Sequence, residues 1–175
     1  MAVYVALLRG INIGKRQIKM TELAETVRQA GGEDVSTYIQ SGNLVLRHRA
    51  RSGAVVEREL EKAISTAAGF PVPVIVRSAK ELGALIAANP FDASDPTKLH
   101  VVFHPSGPTA AAMAKIDAPA FAPEEMSLRG KDLYLYLPGG MGRSQLAHAI
   151  GVLGKGTARN WRTVLKLYDM ASEIS

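Results

Sequence analysis

The chain has 175 residues and no cysteine, which excludes disulfides, thiol catalysis and metal sites built on cysteine. Its net charge of +5 and its pI of about 9.6 favour an anionic partner. No run of about 18 apolar residues predicts a membrane helix, and we read residues 1–8 as a strand rather than a signal peptide. We therefore expect a cytoplasmic, globular protein without membrane contact.

Positive charge is concentrated at the two ends of the chain. Residues 1–78 carry 11 Lys/Arg against 7 Asp/Glu, residues 79–142 carry 5 against 7, and residues 143–175 carry 5 against 2. If the two ends meet in the folded protein, they form one positive face suited to a phosphate-bearing ligand.

The first half of the chain has the pattern of a small α+β domain. Short, partly β-branched segments predict strands at 3–8, 35–40, 44–47 and 72–77. Helical spacing predicts two helices with the inward residues Met20, Leu23, Ala24 and Val27, and Val56, Leu60, Ile64 and Ala67. A capping box from Ser78 to Glu81 predicts a third helix. The order βαββαβ plus a helix is typical of a ferredoxin-like fold.

The turn-rich residues 89–96 indicate a boundary between a ferredoxin-like subdomain at 1–92 and a second, smaller α+β subdomain at 97–175. In the second subdomain we predict strands at 99–104, 126–129 and 132–137, helices at 109–116 and 144–150, and a flexible link at 139–142. A last helix is predicted to be capped by Thr157, with Trp161, Leu165 and Tyr168 facing inward.

Two stretches place polar side chains where predicted strands end. The first loop and the hairpin turn at 41–43 supply the candidate ligand-binding residues Arg9, Asn12, Lys15, Lys19, Gln40, Ser41 and Asn43. The alternative is that these side chains stabilise their own turns. We expect Arg9 to lie near the far end of strand 44–47, away from the hairpin turn.

The C-terminal segment supplies a second group of candidates, namely Arg143, Thr157, Arg159 and Asn160. Glycines at 154 and 156 followed by Thr157 predict free N–H groups at a helix N-terminus, which favours an anion. Arg159, Arg162 and Lys166 recur at helical spacing, and the alternative is the solvated basic side of an amphipathic helix.

Catalytic and metal motifs are missing from the sequence. His100 and His104 fall on a predicted strand, about 13 Å apart, so they cannot share one ion. No known nucleophile, nucleotide-loop or metalloprotease motif is present, and we predict no metal and no cofactor. Tyr134 and Tyr136 share one strand face, as aromatic residues do in RNA-recognition sheets, or pack inside the protein with hydrogen-bonded hydroxyls.

Several motifs together resemble the family catalogued as domain of unknown function 1697. They are residues 7–12, 19–20, 38–43, 89–91, 100–103, 134–139 with Arg143 and Ser144, and 157–164. The resemblance spans nearly the whole chain in the same order. It implies a two-part α+β fold with a ferredoxin-like first half, and it implies no activity.

The leading hypothesis is a non-catalytic protein that binds nucleic acid or a phosphorylated small molecule. A competing hypothesis is an enzyme for a small anionic substrate, with Arg9, Arg143 or Arg159 holding the anion. A third is a protein-interaction module with an exposed sheet face. The sequence gives no oligomeric state.

Overall fold

The computed structural model describes all residues from 1 to 175 and shows an α+β protein with two antiparallel four-stranded sheets. The chain forms two compact units, one of Met1–Ala84 with Lys166–Ser175 and one of Leu85–Leu165. No helix has both the length and the apolar character needed to cross a bilayer.

The first unit contains β1 (Ala2–Leu8), α1 (Met20–Gln29), β2 (Glu33–Tyr38), β3 (Asn43–His48), α2 (Gly53–Ala68), β4 (Val74–Ser78) and the beginning of α3 (Ala79–Ala87). Its strands are ordered β2-β3-β1-β4, and all neighbours are antiparallel. The predicted strands and helices are present here, and the ends of the strands differ from the prediction by at most two residues.

The two helices of this unit bury the residues that helical spacing selected. Leu23, Ala24 and Val27 are buried on α1, and Val56, Leu60 and Ile64 on α2. They pack with alternate residues of the central strands, such as Ala6 and Leu44, in one hydrophobic cluster. Ala67 was predicted to face inward but is exposed.

The capping box at the start of α3 is confirmed. The Glu81 N–H donates to the Ser78 Oγ at 3.1 Å, and the Ser78 N–H donates to the Glu81 Oε2 at 2.7 Å. Two of the donors at the start of the helix are thereby satisfied reciprocally.

The second unit contains β5 (Leu99–Phe103), α4 (Ala110–Met113), β6 (Glu125–Arg129), β7 (Asp132–Tyr136), α5 (Gln145–Ala149), β8 (Thr157–Asn160) and the beginning of α6 (Trp161–Glu173). Its strands are ordered β6-β7-β5-β8. Helix α4 is shorter than predicted, and none of its residues is buried. The predicted link at 139–142 enters a short 3₁₀ turn, Met141–Arg143.

The prediction for the C-terminal segment was wrong in two respects. Thr157 begins strand β8, which pairs with β5, and the last helix begins only at Trp161. Asn160 caps that helix, because its Oδ1 accepts the Thr163 N–H at 2.9 Å. Leu165 and Tyr168 are more than a third exposed, and the buried residues of the helix are Trp161, Val164, Leu167 and Ala171.

Candidate functional site

The ends of three strands in the first unit meet at one edge of the sheet. The register pairs Leu7 of β1 with Asn43 of β3, and the Leu8 N–H donates to the carbonyl of Gly42 at 2.8 Å. The Arg9 N–H donates to the carbonyl of Pro73, just before β4, at 3.0 Å. The expectation that Arg9 lies away from the hairpin turn was therefore wrong, because antiparallel strands bring the end of one beside the start of the next.

We call this edge, made of loop residues 9–19 and hairpin residues 39–42, the loop edge. Asn12 joins its two parts. The Asn12 Nδ2 donates to the carbonyl of Gln40 at 2.6 Å, and the Asn12 Oδ1 accepts the Ile18 N–H at 2.8 Å. Its φ of +55° is one that asparagine tolerates better than most residues. Both polar atoms of the side chain are thus used to hold the loop in place.

Ser41 and Asn43 close the hairpin turn. Asn43 is fully buried, and its Nδ2 donates to the carbonyl of Tyr38 at 2.9 Å and to the Ser41 Oγ at 3.0 Å. For these two residues the structure shows the turn-stabilising role that was the alternative to ligand binding. The side chain of Gln40 is exposed.

The hairpin turn also carries backbone strain that the sequence did not indicate. Ile39 has φ of +50°, a conformation that a β-branched side chain rarely adopts, and its side chain is 52% exposed. Hydrogen bonds to the carbonyls on both sides, Tyr38 and Gln40, hold the turn in this shape. Strain of this kind is concentrated at functional sites and persists where the surroundings enforce it.

The charged side chains of the loop edge are all cationic. Lys15, Arg16 and Lys19 are exposed and Arg9 is half-buried, and none has a carboxylate oxygen within 4.0 Å. The Arg16 guanidinium lies 5.2 Å from the ring centroid of Phe70. Arg16 belongs to the same loop but was not among the candidate residues predicted from the sequence.

The loop leads directly into the N-terminus of α1. Lys19 is the residue before the helix, and no side chain caps the first turn. The N–H groups and the dipole at a helix start attract anions, and the neighbouring cations add to that attraction. The arrangement can hold a phosphate or carboxylate group at the surface.

The candidates of the second unit have different roles. Arg143 is exposed, beside a groove of about 380 Å³. Arg159 is buried on β8, where its guanidinium donates to the Thr157 Oγ1 at 3.0 Å and to the carbonyl of Ala158 at 2.9 Å. Burial lowers the pKa of Arg159 to about 10. The helix start predicted at Thr157 was wrong, because a strand follows the glycines.

The tyrosines and histidines of the second sheet are largely internal. Tyr134 is buried, and its hydroxyl donates to the carbonyl of Leu85, while Tyr136 stacks on Phe91 with ring centroids 6.0 Å apart. His100 is buried on β5, which lowers its pKa. The chain contains no group of three or more His, Asp or Glu side chains placed to hold a metal ion.

Comparison with solved structures shows that this α+β fold occurs in another bacterial protein. A solved structure, that of the conserved bacterial protein SP0830 from Streptococcus pneumoniae, matches 98% of this chain and 99% of its own with a TM-score of 0.81. The two sequences are 22% identical, so the likeness shows a shared fold. No curated protein matches the chain.

The family is shown by the sequence itself. The model of the family described as "Protein of unknown function (DUF1697)" matches residues 1–134. The chain belongs to this family, which confirms the resemblance found in the sequence motifs.

Proposed function

We propose that the chain is a non-catalytic binding protein for a phosphate-bearing ligand, either nucleic acid or a nucleotide, and that the loop edge is its contact surface. The observation that carries the proposal is the set of four cations, Arg9, Lys15, Arg16 and Lys19, without a carboxylate within 4.0 Å. Cations on a fixed loop that have no carboxylate partner attract phosphate without first breaking an ion pair.

The rigidity of the loop supports this proposal. Asn12 joins the first loop to the hairpin turn, and a bridge between Ile13 and Arg16 holds Lys15 at the tip of a tight turn. A preformed loop orders fewer groups on binding, so less of the interaction energy is lost. The strand order β2-β3-β1-β4, with two helices packed on one face, supports the further proposal that this unit is ferredoxin-like.

The composition of the loop edge favours binding over catalysis. Residues 9–19 and 39–42 contain no His, Asp or Glu. An anion held here would therefore have no imidazole or carboxylate from either loop to act as a general acid or base.

The test is a titration of a fluorescent 20-nucleotide single strand with the protein, followed by polarisation at salt concentrations from about 50 to 200 mM. Affinity is expected to fall steeply with salt if phosphates are contacted. The double variant K15Q/K19Q should lower the salt slope by about 1–2 and the affinity about tenfold. The control variant R51Q/R58Q removes the same charge from exposed positions outside the loop edge.

Equal losses in the two double variants would contradict a defined site and indicate a general charge effect. If the protein binds neither single- nor double-stranded DNA or RNA at low salt, nucleic acid is excluded as the ligand. The proposal that the ligand is a nucleotide is then tested by thermal unfolding with ATP and with pyrophosphate, since a ligand of the folded state raises Tm. No shift with either compound removes the proposed function.

A further inference from the structure

A groove of about 540 Å³ in the first unit lies between α1 and α2, beside the C-terminal end of β3. This volume is within the range of about 300–1,000 Å³ that small-molecule sites occupy. None of its lining residues belongs to the loop edge. Strand β3 begins at the hairpin and ends at His48, so about 17 Å separate the two ends at about 3.3 Å per residue.

Small side chains explain why the groove is there. Ala30 follows the last turn of α1, and Ala63 and Ala67 lie one turn apart on the facing side of α2. Their methyl groups form an apolar floor and leave space that a larger side chain would fill. Thr26 and Thr66 add hydroxyl groups to the lining.

His48 is fixed in the wall of this groove with almost no exposed surface. Its Nδ1 accepts the Ala50 N–H at 3.1 Å, so the proton of the neutral ring is on Nε2. That nitrogen lies 3.3 Å from the carbonyl oxygen of Ala30 and 3.4 Å from the Glu59 Oε2. Both ring nitrogens thus have partners, and the Glu59 carboxylate lies against the His48 ring on one side of the groove.

Two further charges in the lining have no such partner. Arg49 and Lys62 are exposed, and neither has a carboxylate oxygen within 4.0 Å. With Glu59 counted, the lining carries one net positive charge when His48 is neutral. An apolar floor combined with two unpaired cations is complementary to a molecule that has an apolar body and an acidic group.

We propose that this groove binds a small organic anion with an apolar body. The body lies on Ala30, Ala63 and Ala67, and the carboxylate, sulfonate or phosphate group lies between Arg49 and Lys62. This site is separate from the proposed phosphate contact at the loop edge and does not depend on it.

The test uses 8-anilinonaphthalene-1-sulfonate, whose fluorescence rises when its rings leave water and whose sulfonate supplies the anion. A saturable increase with one molecule bound per chain is expected. The variant A63F fills the floor and should weaken binding at least tenfold. The control A54F adds the same side chain to an exposed position of α2 outside the groove and should leave binding unchanged.

A second pair of variants keeps the proposal testable if A63F does not fold. R49Q/K62Q changes exposed residues only and should weaken binding of the sulfonate three- to tenfold. The uncharged dye Nile red should bind this variant and the parent protein alike. K15Q/K19Q should leave sulfonate binding unchanged, which separates this site from the loop edge. Unsaturable fluorescence, or equal titrations for A63F and A54F and for R49Q/K62Q and the parent, would overturn the proposal.

Discussion

Gly42 is the position where the loop edge tolerates a side chain least. A Cβ added there would lie 2.7 Å from the Leu8 Cβ and 2.8 Å from the Ile11 Cδ1, and the φ of Gly42 is +84°. The left-handed backbone costs about 1–2 kcal/mol for an L-residue, and overpacking costs about 1–3 kcal/mol. Alanine also makes the unfolded chain less flexible than glycine does, which offsets about 0.4–1 kcal/mol of this loss of stability. We expect Gly42→Ala to destabilise the protein by about 3 kcal/mol.

Two other glycines separate the cost of the positive φ from the cost of steric overlap. Gly69 has φ of +80° and nothing within 4 Å of an added Cβ, whereas Gly32 has no positive φ and an added Cβ 2.9 Å from the Val27 carbonyl oxygen. Urea unfolding followed by circular dichroism should show a larger loss for Gly42→Ala than for Gly69→Ala or Gly32→Ala. The loss of Tm should be about 6–12 °C for Gly42→Ala, at about 2–4 °C per kcal/mol. A loss no larger than that of Gly69→Ala would refute the steric argument.

Three further predictions concern single side chains. Asn12→Gly keeps the positive φ accessible but removes two hydrogen bonds, so it should cost about 1–3 kcal/mol in urea unfolding. Burial raises the pKa of Tyr134 to about 12, above its unfolded value near 10, so this residue contributes about 2–3 kcal/mol below pH 10 that is lost as the pH rises to 12. Tyr134→Phe should therefore flatten the fall in stability between pH 10 and 12, and an unchanged slope would contradict the assignment. Ser78→Ala should cost about 0.5–2 kcal/mol through the lost cap, whereas Ser36→Ala at an exposed position should change the unfolding midpoint little.

The elements of the first unit were predictable because their patterns are long and regular. The ten residues of α1 and the sixteen of α2 carry apolar residues at helical spacing, and the capping box marks the start of α3. Strand β8 was not predictable in this way. It has only four residues, Thr157–Asn160, and it is a strand because β5 is beside it. Where pairing with a distant segment decides the conformation, local propensity is a weak guide.

The missed strand explains the errors in the last helix. Counting the helix from Thr157 made Arg159 part of a solvated basic face, whereas alternation along β8 buries Thr157 and Arg159 and exposes Ala158 and Asn160. A shift of three residues in the helix start also assigned the cap to Thr157 instead of Asn160. The error therefore lies in the side-chain period: the prediction assumed the helical period of 3.6 residues, whereas this segment follows the strand period of two.

The candidate site was predictable in its residue types and not in its geometry. The sequence places asparagines, a serine and cations after two strands, but it does not show which side chains are used internally. Ile39 illustrates the limit, because isoleucine is among the residues least suited to a positive φ, and the hydrogen bonds to the carbonyls on either side of it come from residues of other segments.

The structure divides the predicted loop residues into two roles that a charge argument alone would merge. Asn12, Ser41 and Asn43 satisfy backbone and turn groups, whereas Lys15 and Lys19 face solvent without a carboxylate partner. If the loop edge binds phosphate because it is preformed, Asn12→Gly should lower affinity for the single strand although no charge is removed. Its salt slope should stay near that of the parent, because the slope counts phosphate contacts. A slope reduced as in K15Q/K19Q would mean that the loop has lost its contacts as well as its order.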